Sequence, residues 1–164
     1  MPLQLTKIPN ARAGMLIRKP ADEVYEAFVD PHITTRFWFT KSSGRLEVGK
    51  RLRWEWEMYG ASTTLEVKML EPGKSILIEW GLEDRATSVE WTFTPRGNNT
   101  TFVDITNYGF TGDGDTVVDQ AMDSSAGFGL VLAGLKAYLE YGIILNLITD
   151  RFPDQVVNPT AVTK

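Results

Sequence analysis

An α+β fold, an antiparallel sheet closed over a long C-terminal helix, is predicted by three observations. Residues 43–110 alternate apolar and polar with period two, connectors rich in Gly, Pro, Asn and Asp interrupt them, and 115–142 carry an apolar stripe of helical period. "RLRWEWEM" (51–58) shows the alternation most clearly: Arg51, Arg53, Glu55 and Glu57 share one parity, Leu52, Trp54, Trp56 and Met58 the other.

The elements follow in order. After an irregular segment, 1–12, "GMLIR" (14–18) reads as a strand. Pro20 opens "ADEVYEAFV", where Val24, Ala27 and Phe28 recur at i, i+3, i+4 and mark a short amphipathic helix. Asp30 caps a second helix over about 31–37, with Pro31 at its first position. Strands are expected over 43–47, 51–59, 62–71, 75–82, 86–95 and 100–109, and their short connectors make the sheet an antiparallel meander. One face collects Leu52, Trp54, Trp56, Met58, Leu65, Val67, Met69, Ile76, Ile78, Trp80, Val89, Trp91, Phe93, Val103 and Ile105, and the other Glu55, Glu57, Glu66, Lys68, Glu79, Glu90 and Asp104. A sheet with one apolar face needs a cover. The 115–142 helix supplies it through Ala121, Phe128, Leu132, Leu135 and Leu139, with Asp115 as N-cap and Asp119, Asp123 and Glu140 opposite. Residues 150–164 read as a loosely held tail.

Composition narrows the function. The 164 residues suit one domain, and 43% of them are apolar. A net charge of -4 disfavours nucleic acid. The absence of cysteine excludes disulfides, thiolate metal sites and a cysteine nucleophile. No stretch reaches the ~18 apolar residues of a membrane span, "GIILNLI" (142–148) being the longest candidate, and the N-terminus lacks the h-region of a signal peptide. A cytoplasmic location is therefore expected.

Motifs for known chemistry fail one by one. "PGKS" (72–75) ends like a phosphate loop, yet Lys68 stands where the first glycine belongs, and a strand follows; Pro72-Gly73 reads as a type II turn. "DGDTVVDQAMD" (113–123) places Val117 and Val118 where a calcium loop needs oxygen ligands and glycine, so no metal is expected. His32, the single histidine, reads as a residue at a helix start, and no Gly-x-Ser-x-Gly elbow accompanies it. Aromatic residues are the stronger signal, at 11% of the chain, with Trp54, Trp56, Trp80 and Trp91 on one sheet face and Trp38 outside the pattern. They either fill a core or wall a pocket for an apolar molecule, with Met58, Met69 and Met122 as adaptable lining. Gly127, Gly129 and Gly134, each costing about 1 kcal/mol of helix stability against alanine, mark either close packing or space.

"ADEVYEAFVDPHITTRFWF" (21–39), "GRLEVGKRLRWEW" (44–56), "KSILIEWG" (74–81) and "GFGLVLAGLKAYLEYG" (127–142) resemble, in order and spacing, the SRPBCC or START-like superfamily. The branch they are most similar to comprises homologues of the activator of the heat-shock chaperone ATPase. The resemblance spans about 13–145, as a single START-like domain followed by a C-terminal tail, 146–164. It implies a helix-grip fold: β-α-α, then a six-stranded antiparallel meander wrapped around the terminal helix. It also implies a pocket for a lipid, polyketide or polyphenol-like ligand, with Trp54, Trp56, Met58, Met69, Trp80 and Trp91 on the sheet side. Met122, Phe128 and Leu132 would face them from the helix, with Ser125 as a polar contact. Phe128 stands where this branch often has tryptophan. No catalytic residue and no cofactor transfer with the resemblance. The alternatives it leaves open are a cyclase- or hydrolase-like enzyme in which His32 or a pocket hydroxyl assists, and a stress-related, chaperone-associated interaction protein; a homodimer is allowed.

Overall fold

Among residues 1–160, which the computed structural model describes, the chain forms β1 (Ala11–Ile17), α1 (Ala21–Val29), α2 (Pro31–Thr34), β2 (Lys41–Ser42), β3 (Arg51–Trp56), β4 (Ala61–Glu71), β5 (Ser75–Trp80), β6 (Thr87–Gly97), β7 (Thr100–Tyr108), α3 (Gly114–Tyr141) and α4 (Leu147–Arg151). The strands make one antiparallel sheet in the order β1-β7-β6-β5-β4-β3-β2. This is the expected meander, with β1 returning to pair along β7 from Ala11↔Asn107 to Ile17↔Thr101. Lys74 N–H closes the Pro72-Gly73 turn onto Glu71 O at 2.8 Å, with Gly73 at φ 72. Asp30 caps α2 by accepting from His32 N, and Pro31 opens it.

Three expectations about the strands give way to local geometry. Residues 43–47 are not a strand: Ser42 Oγ folds the chain back on Gly44, and Leu46 turns inward with its N–H on Val29 O. β3 stops at Trp56, because Glu57–Tyr59 form a 3-10 turn that ends on Gly60 at φ 64. A register shift between Val67 and Met69 pairs Met69 with Leu77 and Leu70 with Ile76, so Leu70 joins the core and Met69 takes the outer face. The other residues assigned to the apolar face pack in the core or against it, apart from Met58, which is buried in the 3-10 turn.

The cap of the long helix lies two residues earlier than expected. Asp113, not Asp115, is its N-cap; it accepts from Thr116 N–H at 2.8 Å, and that bond, with the Thr116 hydroxyl, lowers its pKa. Asp115 instead accepts from Leu3 N–H at 3.1 Å, holding the N-terminal segment on the helix. Gly142, at φ 66, ends α3. Just before the segment expected to be loosely held, 150–164, Tyr59 Oη donates to Ile148 O and Thr149 O, and within it Met58 O accepts from Val157 N–H and Asn158 N–H, which ties that part to the domain. Residues 161–164 of that tail lie outside the described residues. No helix among the described residues is long and apolar enough to cross a membrane.

Glu140, placed by helical period on the wet face, is half-buried instead, with its side chain only 5% exposed. It accepts from Lys136 Nζ at 2.7 Å and from Arg18 N–H at 3.0 Å. Burial pushes its pKa up, but the Lys136 and Arg18 hydrogen bonds and charges together outweigh burial and hold the carboxyl below its ordinary value. The resulting stabilisation is complete at neutral pH, declines once pH falls below the ordinary glutamate value of about 4.3 and is gone below the folded-state value. Glu140→Gln is expected to cost about 1 kcal/mol near neutrality and to flatten the acid side of the stability profile. Urea denaturation from neutral pH down through and below about pH 4.3 measures both, and an unchanged acid slope would count against this assignment.

Candidate functional site

The helix does not lie evenly over the sheet. It runs along β1, and Gly134 lets it approach the α2–β2 connection, since a Cβ there would stand 3.2 Å from both Phe37 Cβ and Phe37 O. Farther along the sheet the space between α3 and β3–β5 is occupied partly by aromatic rings and partly by a pocket of about 590 Å³.

The rings converge on Trp38, the tryptophan that no strand pattern accounted for. In "RFWF" three successive aromatic side chains are buried without any period, because the connection after α2 is an irregular turn and projects them in different directions. Phe37 meets Phe28 edge-on at 5.5 Å, and Phe39 stacks on Trp54 at 4.5 Å and 16°. Trp38 itself lies 5.0 Å from Trp54, 6.3 Å from Trp56, 6.0 Å from Trp80, 6.1 Å from Trp91 and 5.6 Å from Phe128. These separations suit edge-to-face and tilted packing. Trp80 stacks on Phe128 at 5.8 Å and 27°. Trp54 therefore meets the helix side through Trp38, so this half of the interior is solid.

The pocket opens where that cluster ends. Trp38, Trp56, Trp80 and Phe128 form its inner wall, and Gln120, Ser124, Gly127 and Val131 carry the helix side at i, i+4, i+7 and i+11. No atom lies within 4 Å of a Cβ built on Gly127, so this glycine faces space, unlike Gly134. Phe110 and Thr111 beyond β7, Tyr59, and the α4 segment through Ile148, Arg151 and Phe152 add to the lining, and Arg85 and Asp123 bring further charged groups to it. Arg151 also lies over the Phe152 ring at 4.3 Å. Burial of the Tyr59 hydroxyl raises its pKa, with the Asp150 charge adding and the backbone of Phe152 and the Arg151 charge opposing, so it stays a donor to α4 at neutral pH.

A hydrogen-bonded polar strip lies beside the aromatic inner wall. Asn107, 2% exposed, donates through Nδ2 to Thr87 Oγ1 at 2.9 Å and to Ser88 O at 2.8 Å, and its Oδ1 accepts from Ser124 Oγ at 2.8 Å. Trp80 Nε1–H donates to the same Thr87 oxygen at 3.1 Å. Thr87, Asn107 and Ser124 all line the pocket.

Of the residues singled out from sequence, Trp56, Trp80 and Phe128 line this pocket. Trp54, Trp91 and Leu132 are buried behind it, and Met58 is buried in the 3-10 turn. Met69 is on the outer sheet face, and Met122 is 67% exposed. Ser125 points to β1, where its Oγ accepts from Arg12 N–H at 3.1 Å; the pocket serine is Ser124, about 100° around the helix. His32 is exposed on α2 and is not among the lining residues, so the pocket of the acid–base alternative contains no histidine. Trp38, Thr87, Asn107 and the α4 residues were missed. "RFWF" as an aromatic run and the i, i+4 spacing of Ile148 and Phe152 are signals that could have found two of these groups.

Comparison with solved structures gives the same architecture. SSP2350 from Staphylococcus saprophyticus is 29% identical, over 84% of this chain and 96% of that one, with a TM-score of 0.71. DynU16, from the dynemicin biosynthetic locus, is 25% identical over 82% of this chain, which spans 48% of DynU16, with a TM-score of 0.71. The Aha1 dimer from Colwellia psychrerythraea, at 20% identity, covers 82% of this chain and 98% of that one with a TM-score of 0.71, a likeness of fold. No curated protein matches the chain. The model of the family described as activator of Hsp90 ATPase homolog 1-like protein matches residues 18–140, three quarters of the chain and all of the sheet beyond β1, and the chain belongs to that family.

Proposed function

We propose that the chain binds a hydrophobic small molecule, of lipid, polyketide or polyphenol-like chemistry, in the pocket between the sheet and α3. The observation that supports this is the combination of a space of about 590 Å³ with an inner wall of Trp38, Trp56, Trp80 and Phe128. That volume is in the range of small-molecule sites, which are mostly apolar with a few polar groups. Burying about 200 Å² of ligand apolar surface at about 25 cal/mol/Å² gives a gross gain of about 5 kcal/mol, and the walls are already fixed by ring packing, so little ordering cost opposes it. DynU16, a relative whose locus is biosynthetic, is compatible with a small-molecule ligand. Titration of fatty acids, polyketides and polyphenols against the labelled protein, followed by NMR, tests the reading. Saturable shifts at the Trp56 and Trp80 indoles are expected with at least one class, and a spectrum that none of them changes would sink the proposal.

A further inference from the structure

The polar strip has a fixed polarity, set by which of its members can only donate or only accept. Ser88 O is a carbonyl, so the Asn107 group bonded to it is the amide NH2, and Oδ1 is the end that faces Ser124. Both Asn107 amide protons are then engaged, one on Ser88 O and one on Thr87 Oγ1. The Trp80 indole is donor-only, and its proton occupies a second site on the same Thr87 oxygen. With two donors on its two lone pairs, the Thr87 hydroxyl has only its own proton left to offer, and none of the described residues accepts it. Ser124 is the converse: its proton is on Asn107 Oδ1, so its oxygen retains free acceptor sites. Thr87 and Ser124 both border the pocket, on opposite ends of one buried amide.

Resting on the reading of this pocket as a small-molecule site, we propose that it selects a hydroxylated aromatic ligand, whose oxygen accepts from Thr87 and whose proton goes to Ser124. The aromatic wall takes the ring and the strip reads the hydroxyl. An ether or ketone satisfies Thr87 alone, and a bare hydrocarbon leaves both groups unpaired in a site it has dried. Asn107 does not touch the ligand; it is a positioning residue that holds the two hydroxyls in opposite senses.

The test uses three probes of one ring system, 2-naphthol, 2-methoxynaphthalene and naphthalene, titrated against the full chain by NMR with the Trp80 indole N–H as reporter. Binding of 2-naphthol about tenfold tighter than naphthalene, with the methyl ether between them, is expected from two net hydrogen bonds. Ser124→Ala should bring 2-naphthol down to the level of its ether, and Thr87→Val should bring the ether down to the level of naphthalene while 2-naphthol keeps its bond to Ser124, whereas Thr87→Ser should keep the wild-type order. Should Thr87→Val fail to fold, Ser124→Ala carries the test: alanine suits its helix position, and the Asn107 Oδ1 left without a donor costs only part of a domain's stability. Equal binding of the three probes, or a naphthol-to-ether ratio unmoved by Ser124→Ala, would overturn the inference while leaving the pocket a hydrophobic site. Absence of binding by all three would overturn the inference together with aromatic-ligand binding itself.

Discussion

Trp38→Ala is expected to cost about 3–5 kcal/mol, the range of large aromatic truncations in packed cores. Trp38 is 4% exposed and is the ring through which Trp54, Trp56, Trp80, Trp91 and Phe128 meet. Its loss leaves a cavity bordered by rings that are themselves held by neighbours, so little collapse can refill it. A domain has only about 5–15 kcal/mol in total, so this single change removes a large part of it. Trp38→Phe retains a ring and should cost roughly half as much or less. Equilibrium urea denaturation of the two variants against the wild type measures the difference. A cost under about 1 kcal/mol for Trp38→Ala would mean that the cluster is held together without its centre.

Gly127→Leu separates stability from binding. Gly127 sits inside α3, where glycine is about 1 kcal/mol worse than alanine or leucine, and a Cβ at this position meets nothing within 4 Å. The substitution therefore should leave the fold unchanged or slightly more stable. The added side chain projects into the space bounded by Trp56, Trp80 and Phe128. Affinity for an apolar ligand is expected to fall at least about fivefold, and about a hundredfold for a ligand that fills the pocket, since overlap with a packed wall costs about 1–3 kcal/mol. Denaturation midpoints and ligand titrations on the same preparation read both effects. Retained affinity in a stable Gly127→Leu protein would place the ligand somewhere other than this pocket. Gly134 offers the contrast: a Cβ there presses on Phe37, so enlargement at that position destabilises rather than blocks.

Period-two and period-3.6 patterns made the sheet and the long helix legible, because a residue's side of a strand or helix follows from its position in the chain. They failed where the chain leaves regular geometry. The bulge after Val67 exchanged Met69 for Leu70, and the 3-10 turn carried Met58 out of the strand. "RFWF" has no period to read, so Trp38 could not be placed by pattern at all. On α3 the error was one of phase rather than of period. Ser124 and Ser125 are adjacent in sequence, and which of them faces the pocket depends on how the helix is rotated against β1.

What the sequence by itself determined is the class of structure and the character of its interior: one antiparallel meander, one covering helix, and an apolar sheet face rich in tryptophan. Those features are local, set by alternation, turn residues and helix caps. The tertiary structure alone decided that the interior is solid around Trp38 and open beside Trp56, Trp80 and Phe128, and that α4 helps to wall the opening. It also decided that one buried asparagine gives Thr87 a free proton and Ser124 free lone pairs. Space and hydrogen-bond polarity belong to groups far apart in the chain, and they come into being only when the helix, the sheet and the irregular segments close on one another.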